Sequence, residues 1–194
     1  MKLMTLIIAL FISTAYADEK PDAKKEEVMK KWMEYSTPGE SHKLIAGLAG
    51  KWTFVAKSWE TAESKHEETK GTSNMKMILG GRFLLQDIKG KMMGQKYEGH
   101  GMLGFDNIKK TFDSVWIDNM GTGVMHGTGT YDAATQTITE KGEFTCPATE
   151  NKTSEYRNEW KFNDKDTMTF SMFGKGMEDK AEYKMMEIIY KRVK

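Results

Sequence analysis

From Gly50 to the end of the chain, apolar and polar side chains alternate, and clusters of Gly, Asn and Asp interrupt the alternation every eight to twelve residues or so. A period of two is the mark of strands with one buried face. Lys51 to Trp59 sets Trp52, Phe54 and Ala56 on one face. His66 to Leu79 is longer and more polar. Gly80-Gly81 turns the chain into Arg82 to Lys89. Gly94 to Met120 reads as a hairpin, with Tyr97, Leu103 and Phe105 in one arm and Phe112, Val115, Trp116 and Ile117 in the other. Asp106-Asn107 opens its turn, because short Asx side chains bond their own backbone. Further strands are expected over Gly123 to Tyr131, Thr135 to Cys146, Ser154 to Phe162, Thr167 to Phe173 and Ala181 to Arg192.

About ten short strands with no helix between them describe an all-β chain, an antiparallel up-and-down meander. Such a meander must bury one face and protect its edges, and closing into a barrel does both. A two-sheet sandwich is the alternative. Before Gly50 the period is helical. Glu26 to Tyr35 fits a short amphipathic helix that ends ahead of Pro38-Gly39. A second short helix is expected from Ser41, its N-cap, to Leu48.

The first residues have a different character. Lys2, the short apolar run Leu3 to Ile12 and Ala15-Tyr16-Ala17 form a signal peptide with cleavage after Ala17. The expected organisation is a signal peptide at 1–17, a helical segment at 18–40 and a barrel domain at 41–194. The apolar run is too short to span a membrane. Export to the periplasm or the medium follows.

Charge removes some function classes. There are 29 basic and 28 acidic residues, and loss of Lys2 with the leader balances them. A neutral chain lacks the electrostatic footprint of a nucleic-acid binder. Cys146 is the only cysteine, so no internal disulfide is available; it is a buried residue or a free thiol. Only Arg82, Arg157 and Arg192 are arginine. Planar stacking or bidentate pairing would explain them, as would compositional bias.

Motifs for catalysis are weak. Gly99-His100-Gly101-Met102-Leu103-Gly104 matches the dinucleotide fingerprint, but a turn follows it where a helix is needed, so no dinucleotide is expected there. No nucleophile elbow is present, and no base adjoins Cys146 in the sequence. The four histidines form no ligand pair by spacing. His100 and His126, with Met102 and Met125 beside them, could meet only through the fold, and a haem or metal site there is one alternative function.

The main expectation is a binding role. Tyr156, Trp160 and Phe162 share one strand face with Asn158, and Met168, Phe170 and Met172 share another. Aromatic and methionine side chains make an adaptable apolar lining. Arg82 is a candidate to meet an anionic head group. A barrel of about ten strands is wider than the eight that side chains alone can fill. The sequence therefore anticipates a small, largely apolar ligand with no cofactor. A partner-binding domain with a filled core is the other alternative.

Two resemblances rest on particular residues. The short helix, then Gly50-Lys51-Trp52 opening the first strand, then the meander and a basic residue near the end resemble the lipocalin and fatty-acid-binding (calycin) architecture. The resemblance implies that Trp52 packs at the closed end with Arg192, or alternatively Lys191, across it. Thr37-Pro38-Gly39-Glu40-Ser41-His42, Leu48-Ala49-Gly50-Lys51-Trp52, Gly80-Gly81-Arg82-Phe83-Leu84, Tyr97-Glu98-Gly99-His100-Gly101 and Trp116-Ile117-Asp118 resemble a bacterial domain-of-unknown-function family (fifteen-seventy-nine). So do Leu103-Gly104-Phe105-Asp106, Gly129-Thr130-Tyr131-Asp132 and Lys184-Met185-Met186-Glu187-Ile188. That resemblance implies a fold and no activity.

Overall fold

The structure is a computed structural model that describes residues 22–92, 94–145, 153–176 and 181–194. The leader and Cys146 lie outside them. The chain divides into two compact units, one ending at Glu34 and one spanning Tyr35–Lys194. Helix α1 runs Ala23–Ser36, with a Lys31–Glu27 ion pair of 2.6 Å one turn apart. No described helix is long and apolar enough to cross a membrane.

The second unit is a closed antiparallel barrel. Its strands are β1 (Gly50–Ser58), β2 (Glu67–Ile78), β3 (Phe83–Met92), β4 (Gln95–Asp106) and β5 (Thr111–Asp118). They continue as β6 (Met125–Asp132), β7 (Thr137–Thr145), β8 (Thr153–Phe162), β9 (Thr167–Gly174) and β10 (Tyr183–Arg192). Each strand pairs with its neighbour in sequence, and β1 pairs with β10 to close the ring. Closure leaves no edge for another chain to pair with.

The two ends differ. Turns β2–β3, β4–β5, β6–β7 and β8–β9 lie at one end, together with helix α2 (Glu40–Ala46). Three of these turns are built on aspartate. Asp106 Oδ1 accepts from the Ile108 and Lys109 amides, Asp132 Oδ1 from Ala134, and Asp164 Oδ1 from Asp166. Ile45 of α2 is fully buried, so α2 closes this end.

The cap of α2 differs from the sequence expectation. Gly39, not Ser41, is the N-cap, and the helix begins at Glu40. The buried His42 ring supplies the reason. Its Nδ1 accepts the Gly39 amide at 3.0 Å, which is the half of a capping box that the third helical residue supplies to the N-cap. Burial holds the His42 pKa below its usual value, with Arg82 adding to the fall and a bond to the Phe105 backbone opposing it. The ring is therefore neutral and free to accept.

The fingerprint glycines have a packing explanation. All three lie within β4, and β5 follows the turn. A Cβ on Gly99 would stand 2.3 Å from Trp116 Cζ2, one on Gly101 3.0 Å from Trp116 Cε3, and one on Gly104 2.6 Å from Phe83 Cδ1. Each glycine lets a neighbouring ring lie flat along the wall.

Candidate functional site

The closed end is solid. Trp52 is 1% exposed, and its indole N–H donates to Leu48 O at 2.9 Å. The Arg192 guanidinium lies 4.1 Å over that ring. Its nitrogens donate to Ala49 O and Gly47 O, both at 2.6 Å, and to Lys165 O at 2.9 Å. Ile45, Phe112, Ile138 and Met168 fill the space around Trp52 as a core. Arg157 also stacks on a ring, that of Phe173 at 4.0 Å, and bonds Glu182 and Glu159.

Above this plug the barrel is hollow. The cavity measures about 620 Å³ and opens at the rim formed by Trp59, Glu60, Lys65 and Lys91. Its wall is mostly apolar. Ten strands make the ring wide, but width alone does not keep it empty. Several rings that could fill the lumen lie across glycines instead: Phe54 over Gly71, Trp116 over Gly99 and Gly101, Tyr156 over Gly142. In each case ring and glycine sit on paired strands, so the aromatic area coats the wall.

Tyr156, Trp160, Phe170 and Met172 line this cavity. Phe162, Met168 and Arg82 do not. Phe162 and Met168 share the inward face but stand further toward the plug, where they pair across β8–β9. Arg82 lies in the β2–β3 turn at the closed end, and its Nη1 donates to Leu79 O at 3.0 Å. It is thus separated from the cavity by the core. His100 and His126 are exposed on the outer wall, with Nδ1 of His100 held 2.8 Å from Asp87. Strand β5 runs between them. No cluster of three metal-ligating side chains occurs among the described residues.

The polar side chains of the interior form three groups. Gln86 Nε2 donates to Ser73 Oγ at 3.1 Å and to Tyr190 Oη at 3.3 Å. Near the rim, Tyr97 Oη and Trp116 Nε1 both donate to Asp118 Oδ2, at 3.1 and 2.9 Å. The third group is Glu140, Asn158, Ser114 and Tyr156, on β5, β7 and β8. Gly127 of β6 makes room for it: a Cβ there would stand 2.7 Å from Ser114 Oγ and 3.4 Å from Tyr156 Oη.

Glu140 is 1% exposed yet borders the cavity. Burial pushes its pKa up to about 7; the Ser114 and Trp160 side chains oppose the rise, and Asp113 adds to it. Tyr156 is pushed up to about 12 by burial and by Glu140. Sequence reasoning missed Glu140. Its alternation with Ile138 and Gly142 was the available signal, because a charged residue on an inward face is out of pattern.

The fold and the cavity define a class: hollow, closed up-and-down β-barrels. Within it, the chain belongs to the family described as "Protein of unknown function (DUF1579)", which matches residues 37–192. No match was found among curated proteins. Two solved structures share the fold. Rv2717c from M. tuberculosis superimposes with a TM-score of 0.59 at 11% identity, over 81% of this chain and 100% of that one. The S-type phycobiliprotein lyase CPES from Guillardia theta gives 0.56 at 11% identity, over 84% and 97%. At such identity the likeness is one of fold.

Proposed function

We propose that the protein is an exported binding protein that holds a small, largely apolar ligand inside its barrel. The observation that carries this reading is the cavity of about 620 Å³, mostly apolar and open at one rim. Ligand pockets span roughly 300–1,000 Å³, and a barrel filled by its own side chains would leave only methyl-sized voids. Tyr156, Trp160, Phe170 and Met172 are the proposed contacts. Phe162 and Met168 support the floor beneath them. A similar barrel in a lyase acting on phycobiliproteins is compatible with small-molecule binding. Export rests on the leader alone.

One experiment tests both halves. Native mass spectrometry of protein purified from its own compartment is expected to find a chain beginning at Asp18, with a retained small molecule released on denaturation. A ligand-free chain that also fails to bind Nile red saturably would defeat the binding half. A chain that retains Met1 would defeat export.

A further inference from the structure

Among the polar groups that interrupt the mostly apolar wall of the cavity, one is left without internal pairing. Glu140 and Asn158 sit directly opposite each other on β7 and β8, and both border the cavity. Glu140 Oε1 and Asn158 Oδ1 are buried and have no hydrogen-bond partner among the described residues. The rest of the interior makes this pair stand out. The Gln86 and Asp118 groups are internally paired, donor to acceptor. Here, with Glu140 ionised, two acceptor oxygens on facing residues are left without a donor of their own. Leaving buried acceptors unpaired costs stability and is uncommon in proteins.

We infer that Glu140 and Asn158 receive a hydrogen-bond-donating head group, a protonated primary amine, on a ligand whose apolar body fills the barrel. This rests on the proposed binding role and assigns the ligand's polar end. An ammonium group supplies several N–H donors and no acceptor, which matches a carboxylate oxygen beside an amide oxygen. A carboxylate head group would set like charges together at Glu140. The basic residues that border the cavity, Lys65 and Lys91, stand exposed at the mouth; neither an arginine nor a lysine borders its deeper wall. The polarity of the site is thus opposite to what an anionic head group at Arg82 would require.

The test uses the full chain, Nile red as a neutral reporter, and decylamine and decanoate as competitors of equal chain length. Decylamine is expected to displace Nile red at about tenfold or more lower concentration than decanoate, the value of one charge-assisted hydrogen bond. Glu140→Gln should bring the two competitors' displacement concentrations to within about twofold of each other. Asn158→Leu, a second route should the first variant fold poorly, should lower the preference for decylamine over decanoate several-fold. Equal displacement by the two competitors, or preference for decanoate, overturns the inference and leaves the apolar-ligand reading intact. Absence of saturable Nile red binding in the wild type overturns both.

Discussion

The plugged end of the barrel and its hollow half are built from the same strands yet solve opposite problems. At the plug, Trp52 is enclosed by Ile45, Phe112, Ile138 and Met168, and Arg192 covers its ring while donating to three carbonyl oxygens. In the hollow half the rings of Phe54, Trp116 and Tyr156 lie back against glycines, and a buried carboxyl borders empty space. The hollow half carries features that cost stability, and such features persist where a site needs them.

The sharpest way to break this contrast is at the plug. Trp52→Ala removes a fully buried indole and should destabilise by about 3–5 kcal/mol. Chemical denaturation followed by circular dichroism measures it. A midpoint equal to wild type would show that the plug does not hold the barrel.

An effect of comparable sign but smaller size is expected from Glu140. Its folded pKa, about 7, lies above the ordinary 4.5. The folded chain therefore binds a proton that the unfolded chain has released. This contribution to stability is fully present below about pH 4.5 and is lost as pH rises through 7. By linkage the loss is on the order of 3 kcal/mol. Glu140→Gln, which keeps the shape, should flatten that fall. Denaturation midpoints at pH 5 and pH 8 for both proteins decide it; parallel pH profiles would contradict the burial of this carboxyl.

The smallest effect should come from the cavity wall. Met172 is only half-buried and borders the void. Met172→Ala loses few packing partners and should cost less than about 1 kcal/mol, well below the usual range for core methionines. It should still weaken Nile red binding. A loss as large as that of Trp52→Ala would mean that the two halves are equally packed.

Much of the architecture was legible because strands announce themselves locally. Alternation and Asx turns depend on a few adjacent residues, so about ten strands, their order and the turn at Asp106 could be read directly. The resemblance carried by Gly50-Lys51-Trp52 named Trp52 and Arg192, which the register of β1 and β10 sets opposite each other. The cap of α2 was misread because His42 acts through the fold of its own ring back to Gly39, and a Ser ahead of a helical run is the stronger local signal.

The sequence by itself thus determined an antiparallel meander of about ten strands, for which closure into a barrel was the expected solution, and a supply of aromatic and methionine side chains for a lining. Only the tertiary structure decided that the lumen is empty, because emptiness comes from rings meeting glycines on paired strands, such as Trp116 over Gly101. It also decided how far along the axis each inward residue sits. Arg82 falls at the plug and Met168 in its core, while Phe170, two residues on, reaches the cavity. The pairing of Glu140 with Asn158 belongs to the same category. They stand eighteen positions apart in the chain, and only the register of β7 on β8 sets them opposite each other.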